Sequence, residues 1–506
     1  MRIASWEKKK KIAVVLCFVI PFFSLLISVF YKGAVFSSKQ PEEIHREALV
    51  LDAHNDLLLW LTPPHDLFPW EAEPPQSFLP VLNLNQDLDG ITRYGHIDLS
   101  KLKEGGLDVP FFAVFSSERY ARGRSLDKAL AQVYAFHYNM KGNREKIAQA
   151  RTLGDIEKLT RKGKIAAVLT VEGADYIEEP GGKELLHQLY DLGVKVLAPT
   201  WNYSNELAEG LYSEHWNGRP SPDNMGLTAY GENIVQKMND LGMIIDVSHL
   251  HENSFWDVLE KTRAPVIASH SSASGVREHP RNLSDEQLKA LAENGGVIHI
   301  AFVPDFLTPE NKTSSVESIV DHIDYVVDLV GVEHVGVGSD FDGAPMPPDI
   351  DDASDLPLIT EELVRRGYKE KEINKILGGN TLSILKETEK ISLKDKEVID
   401  GAGIWPEFEM GESFASFKQE LNAVLSMRTG NIMEKEARCI LNGREYPVEF
   451  LRYRAFPRAD FKAVTLSAEF QESSFDKGFN AVTFEIKDGE GATKRCTSVV
   501  HIDAEE

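Results

Sequence analysis

Along the chain, short runs of Val, Ile, Leu and Ala recur with amphipathic stretches between them. Eight such runs lie at 49–53, 111–115, 166–171, 194–200, 243–248, 265–269, 296–302 and 334–339, apolar at nearly every position rather than at alternate ones. Continuous apolar runs of this length predict parallel strands covered on both faces. The intervening stretches carry helix signals. SDEQLKALAENGG offers Ser284 and Gln287 as a capping box and Gly295 as a stop. VESIVDHIDYVVDLVG places apolar residues at 319, 323, 326, 327 and 330, one stripe of a helix. LTAYGENIVQKMNDLG leads into the fifth run in the same way. Eight strand–helix units over roughly 350 residues predict an α/β fold, a (β/α)8 TIM-type barrel with insertions, spanning 39–392. An open doubly wound sheet is the rival, and the lack of a Gly-x-Gly-x-x-Gly after the first run weighs against it.

The pattern changes beyond INKILGGNTLSILKET, which reads as the closing helix. The charged ISLKDKEVID reads as a linker, and GESFASFKQELNAVLSM as a helix, so 393–434 is expected to connect two domains. From about Lys435 the segments ARCILNGREYPVEFLRYRAF, AVTLSAEF and NAVTFEIKD alternate apolar and polar residues between Asn-Gly, Lys-Gly and Asp-Gly turns. That alternation predicts a small, β-rich, sandwich-like accessory domain over 435–506. It carries no chemical constellation.

The N-terminus adds a location. Residues 12–31 (IAVVLCFVIPFFSLLISVFY) carry no charge and follow Lys8 to Lys11. Twenty helical residues span about 30 Å, the thickness of a hydrocarbon core. The lysines should stay cytoplasmic, which places the barrel on the periplasmic or extracellular side of a membrane-anchored chain, with 1–38 as basic segment and transmembrane anchor. The run is long for a cleaved leader and no small-x-small site follows it, which favours a retained anchor. The 506 residues suffice for more than one core, and a net charge of −24 argues against a nucleic-acid partner. Of three cysteines, Cys17 lies in the apolar run, while Cys439 and Cys496 are free to be bridged or reduced.

The chemistry collects where the runs end. LVLDAHNDLLLW delivers His54 and Asp56, two residues apart, so that on an extended chain both point to one side. The third run ends in Glu172, the fifth in His249, the sixth in His270 and the eighth in Asp340 and Asp342. A single His after an apolar strand is usually a satisfied core residue. Imidazole and carboxylate at the ends of four separate runs are harder to dismiss, because a barrel brings those ends to one face. Nitrogen and oxygen ligands without thiolate suit zinc or a similar divalent ion. Three imidazoles, an Asp and a Glu exceed one open site but match two ions sharing Glu172, with a hydroxide held between them. Asp340 is then the candidate to shuttle the proton. His299 reads as structural.

The segments LDAHNDL, VEGAD, DVSH, SHSSA, PRNLSDE, HIDYVVDLVGVEHVGVGSDFDG and GGNTL, in this order over roughly residues 45–390, resemble the membrane (renal) dipeptidase family of metallopeptidases. The resemblance implies a (β/α)8 barrel with two zinc ions that hydrolyses dipeptides, including those with a C-terminal D-residue. It implies that His54, Asp56 and Glu172 hold one ion and Glu172, His249 and His270 the other, with Asp340 moving the proton. Arg281 matches the family arginine that binds the substrate carboxylate, a task that suits a bidentate guanidinium, with Arg277 as the neighbouring rival. Members of this family often form homodimers, an expectation extended here without an interface signal of its own.

One position departs from the pattern. After the fourth strand, where the renal enzyme places a substrate-binding His, VLAPTWNYSN has Trp201. Its single N–H never carries a charge, so altered rate or substrate preference is expected. Two other readings use the same residues: a binuclear amidohydrolase acting on another small amide, and a catalytically silent barrel that binds peptides or scaffolds a partner. Retention of all five ligands and Asp340 argues against the silent barrel.

Overall fold

The structure, a computed structural model, describes residues 39–62, 95–121, 123–215, 217–222, 225–392, 402–414, 420–427, 436–456, 461–471, 474–476, 478–487 and 492–502. The expected anchor at 12–31 lies outside them. Among the described residues, no helix is long and apolar enough to cross a membrane.

All eight apolar runs overlap strands. These are β1 (Val50–Asn55), β2 (Leu107–Phe115), β4 (Ile165–Glu172), β5 (Val194–Ala198), β6 (Ile244–Ile245), β7 (Ile267–Ser271), β8 (Val297–Ile300) and β9 (Val335–Val337), with a short extra strand, β3 (Ile147–Gln149), beside β4. They pair in parallel as β1-β2-β4-β5-β6 and as β7-β8-β9. Single parallel bridges join the two sheets at both seams, Asp246 with Ile267 and Asn55 with Phe341. The strands therefore follow one another in a closed order. The doubly wound alternative has no such second seam.

The continuous apolar runs have a simple cause. Leu51, Phe111, Val168, Val196, Ile244, Ile267 and Val297 form one buried cluster, closed by Ile384 and Leu385 of the helix Asn380–Ile391. Their strand neighbours Val50, Phe112, Leu169, Leu197, Ile245, Ala268 and Ile298 belong to a second cluster, shared with helix residues such as Leu130, Leu186, Val235, Phe255, Leu288 and Ile319. Successive residues point to opposite sides of a strand, so a sheet with a core on each side is apolar throughout.

The accessory domain begins earlier than its sequence suggests. Strands β10 (Ala402–Pro406), β11 (Glu412–Phe414) and β12 (Glu420–Met427) precede β13 (Glu436–Leu441), β14 (Arg444–Phe456), β15 (Phe461–Glu469), β16 (Gly478–Lys487) and β17 (Thr493–Ile502). The expected helix in GESFASFKQELNAVLSM is thus replaced by strands: Leu421, Ala423 and Leu425 are buried at alternate positions while β12 pairs with β10 and β15. A period of two, confined to five residues, was masked by good helix formers on both sides. The sheet, antiparallel except where β11 meets β17, encloses its own core. Cys439 and Cys496 are free; both sit opposite Phe484, on the strands flanking it.

This domain packs on the barrel's helix Gly182–Asp191. There Gln188 donates to Ile440 O and Ala481 O at 3.1 and 3.2 Å and accepts the Gly443 N–H at 2.7 Å. Asp191 receives Arg495 Nε at 2.7 Å. Phe479, Ala481 and Val499 join the barrel's outer cluster.

Candidate metal centre

Each expected ligand sits at a strand end, and one face of the ring gathers them. His54 lies near the end of β1, Glu172 closes β4, and His270 lies in β7. Asp56 follows β1 at the start of the helix Leu57–Leu61. His249 and Asp340 occupy the left-handed region, at φ of 67° and 63°. Residues with a Cβ seldom adopt that conformation, and it is concentrated at functional sites.

Glu172 is the centre of the group. One carboxylate oxygen, Oε2, is 3.5 Å from His54 Nε2. The other, Oε1, is 2.8 Å from His249 Nε2 and 3.4 Å from His270 Nε2. Asp56 Oδ2 is 3.5 Å from His54 Nε2, as their two-residue spacing predicts. Three sets of candidate ligand atoms lie within 4.8 Å of one another: Glu172 with His249 and His270, His54 with Asp56 and Asp340, and His54 with Asp246 and His270. All five ligands are buried.

These residues fit divalent cations on their own evidence. His54 Nε2 and Asp56 Oδ1 are buried with no hydrogen-bond partner among the described residues, a costly state for polar atoms unless something else occupies them. His249 Nε2 and His270 Nε2 stand only 2.7 Å apart, two ligand nitrogens aimed at one space. Gly343 leaves room beside Asp56 and Asp340 that a Cβ would fill.

Protonation follows the same logic. Burial, then Arg281, pushes His249 down to about 4; burial and the neighbouring His54 push His270 well below its ordinary value. Both are therefore neutral, as ligation requires. Burial opposes charge on His54, but Glu172 and Asp56 outweigh it and raise that imidazole well above its usual value. Burial would raise Glu172, yet His54, His249 and His270 hold it well below the carboxylate range. Asp340 is raised well above its ordinary value by burial and by Asp56 and Glu172.

Arg281 reaches this centre from the loop after β7. Its side chain is buried, with Nη2 2.9 Å from His249 Nε2 and 3.1 Å from His270 O. Arg277 is half-buried and donates to Glu278 O instead. Trp201 follows β5, half-buried, 5.3 Å from the Phe115 ring and 6.1 Å from that of His249. Asp342 turns aside, accepting the His96 N–H. His299 is buried between Ala268 O and Thr381 Oγ1, a structural residue as expected.

Three polar residues behind the ligands escaped the sequence reading. Asn202 Oδ1 lies 2.7 Å from His249 Nδ1. Ser269 Oγ lies 2.8 Å from His270 Nδ1 and 2.5 Å from Asp246 Oδ2. Asp246 directly follows β6 and Ser269 precedes the ligand His270 within β7, a signal indistinguishable from ordinary strand and turn chemistry.

The sequence profile of the membrane dipeptidases (peptidase family M19) matches residues 38–398. The chain belongs to that family. Among relatives of this membrane dipeptidase family member, dipeptidase verJ of Clonostachys rogersoniana is 33% identical over 359 residues, covering 69% of this chain and 86% of that protein. The uncharacterized dipeptidase C965.12 of Schizosaccharomyces pombe is 32% identical, covering 70% and 83%. A crystal structure of a Rhodobacter sphaeroides metallopeptidase, liganded with a phosphinate mimic of L-Ala-D-Ala, superimposes with a TM-score of 0.56 at 27% identity, covering 67% of this chain and 99% of that one. The family and these relatives make the chain a metallo-dipeptidase. The accessory β domain lies beyond the family match.

Proposed function

We propose that this metallo-dipeptidase hydrolyses dipeptides, including those with a C-terminal D-residue, with two zinc or similar divalent ions on either side of Glu172. The observation that carries the reading is the split of that carboxylate, Oε2 toward His54 and Oε1 toward His249 and His270. His54 and Asp56 would hold one ion, His249 and His270 the other. When bound, the ions supply an activated water and polarise the scissile carbonyl.

The chain's own residues do the rest. Arg281 offers a fixed, buried guanidinium to the substrate carboxylate, orienting the dipeptide against the centre. Asp340 faces Asp56, Glu172 and Arg281. Cations would offset the burial and the repulsion by Asp56 and Glu172 that raise its pKa, leaving a base that takes the proton from water and returns it to the leaving amine. Phe115 and Trp201 form an apolar wall beside His249. The phosphinate peptide mimic seen in the Rhodobacter sphaeroides relative supports a dipeptide with a C-terminal D-residue as substrate class.

The experiment is a dipeptide panel, with L- and D-residues at the C-terminus, on zinc-replete protein beside Asp340→Asn. Turnover of several dipeptides, reduced at least about 100-fold in the variant, is expected. Undiminished turnover in the variant would remove the proton role; no turnover by wild type on any dipeptide would favour another small amide. In the same proposal, residues 12–31 tether the enzyme with its barrel outside the cytoplasm, supported by their uncharged length and the preceding lysines. Retention in membranes after an alkaline wash is expected, and release into the wash contradicts it.

A further inference from the structure

Both histidines facing Glu172 Oε1 are held from behind at Nδ1, by different means. His249 meets Asn202 directly. His270 meets the Ser269 hydroxyl, which lies against the buried carboxylate of Asp246. The direction of this chain follows from the groups themselves. An ionised carboxylate only accepts, so Ser269 Oγ–H donates to Asp246 Oδ2 and its lone pair accepts from His270 Nδ1–H. Nε2 of His270 is then left with its lone pair on the Glu172 side. Asp246 is fully engaged in this arrangement: Oδ1 accepts the Ser248 and Ser269 N–H groups, both at 3.0 Å. Although its carboxylate is near His54 and His270, those bonds occupy it as an acceptor rather than as a ligand. Asp246 also makes the single bridge to Ile267 that joins β6 to β7.

We propose that Asp246 is a positioning residue for the metal centre: through Ser269 it fixes the His270 ring with its proton on Nδ1, and it couples that ligand to closure of the β6–β7 seam. A side-chain acceptor that holds the far nitrogen of a ligating His sets its tautomer and raises its basicity. The chemistry of Asn at 246 makes the proposal sharp. Oδ1 must still accept two backbone N–H groups, so the amide nitrogen takes the Oδ2 place and donates to Ser269. The serine hydroxyl is then free to donate to His270 Nδ1, and the ring proton moves to Nε2, where it blocks ligation.

This inference rests on the two-ion reading above. It is tested by titrating chelator-treated protein with cobalt(II), following absorption and chelator competition, in wild type, Asp246→Asn, Ser269→Ala and the double variant. Wild type should bind two ions. Each single variant should weaken the ion beside His270 by about 10- to 100-fold and alter its cobalt spectrum, with a clearly smaller effect on the ion beside His54, whose Nδ1 lies 3.5 Å from Ser269 Oγ against 2.8 Å for His270. The double variant should be no worse than the weaker single, because both act through one path. Ser269→Ala keeps the backbone bonds of Asp246, so it reports on the relay even where Asp246→Asn does not fold. Wild-type affinity in both singles, additive losses in the double, or equal weakening of both ions alongside a lower melting temperature of the ion-free protein would overturn the proposal. A wild type that binds one ion would instead remove the two-ion reading, and the relay would be judged on that ion.

Discussion

Replacing Arg281 by Met separates recognition of the substrate carboxylate from the rest of catalysis. Arg281 is 7% exposed, its guanidinium fixed by His270 O at 3.1 Å and Ser271 Oγ at 3.4 Å, with Phe306 5.4 Å away under it. It is therefore pre-set, and little ordering is lost when substrate arrives. Hydrogen bonds to a charged group contribute about 1.5–3 kcal/mol each. Two of them, reduced by the cost of desolvating the substrate carboxylate, leave about 3 kcal/mol, or about 100-fold in kcat/KM. Met fills the aliphatic volume without a donor or a charge. Arg281 also helps hold His249 neutral, so the assay belongs at about pH 8 with saturating zinc, where His249 is neutral in either protein. The comparison is kcat/KM for a free dipeptide and for the same dipeptide with an amidated C-terminus. Wild type should prefer the free acid by about 100-fold, and Arg281→Met should fall to the amide's level on both. An equal loss on acid and amide would refute the assignment and leave Arg281 as a prop for His249.

Further outcomes follow from particular residues. Trp201→His puts the imidazole that the resemblance implies at this position beside His249; as a donor to the developing oxyanion it should raise turnover of simple dipeptides by up to about 100-fold in kcat, and an unchanged kcat removes Trp201 from the account. His299 and His322 are both held down to about 4 by burial. Each is depressed in the folded state, so its stability contribution is intact above about pH 6.5 and is lost as pH falls toward 4, about 3 kcal/mol per residue. Denaturant melts of His299→Gln should show a correspondingly shallower loss between those pH values, and an identical slope contradicts the burial argument. Gln188→Leu removes the side-chain partner of Ile440 O and of the Gly443 N–H and one of the two partners of Ala481 O, and should cost about 2–3 kcal/mol, read as faster proteolytic release of the accessory domain.

The sequence displays the barrel because its strands are buried on both faces, leaving eight runs that are apolar at nearly every position. The ligands were visible for a related reason: His54, Glu172, His249 and His270 are chemically distinctive groups standing where apolar runs stop. Asn202, Ser269 and Asp246 were not, since amides, hydroxyls and carboxylates at strand ends usually serve turns. Only the position of Nδ1 in three dimensions tells them apart. The strand β12 reads as helix in the sequence because Leu421, Ala423 and Leu425 give too short an alternation to outweigh the helix-forming Lys418, Gln419 and Glu420. Closure of the ring rests on two single bridges, a detail that no local pattern encodes.

The central claim is that Glu172 stands between two cations. Anomalous diffraction at the zinc edge from zinc-replete crystals measures this most directly. Two peaks about 3.5–4 Å apart are expected, one beside His54 and Asp56 and the other beside His249 and His270, with at least one lost in Glu172→Gln. A single peak, or two peaks that do not share Glu172, would contradict it.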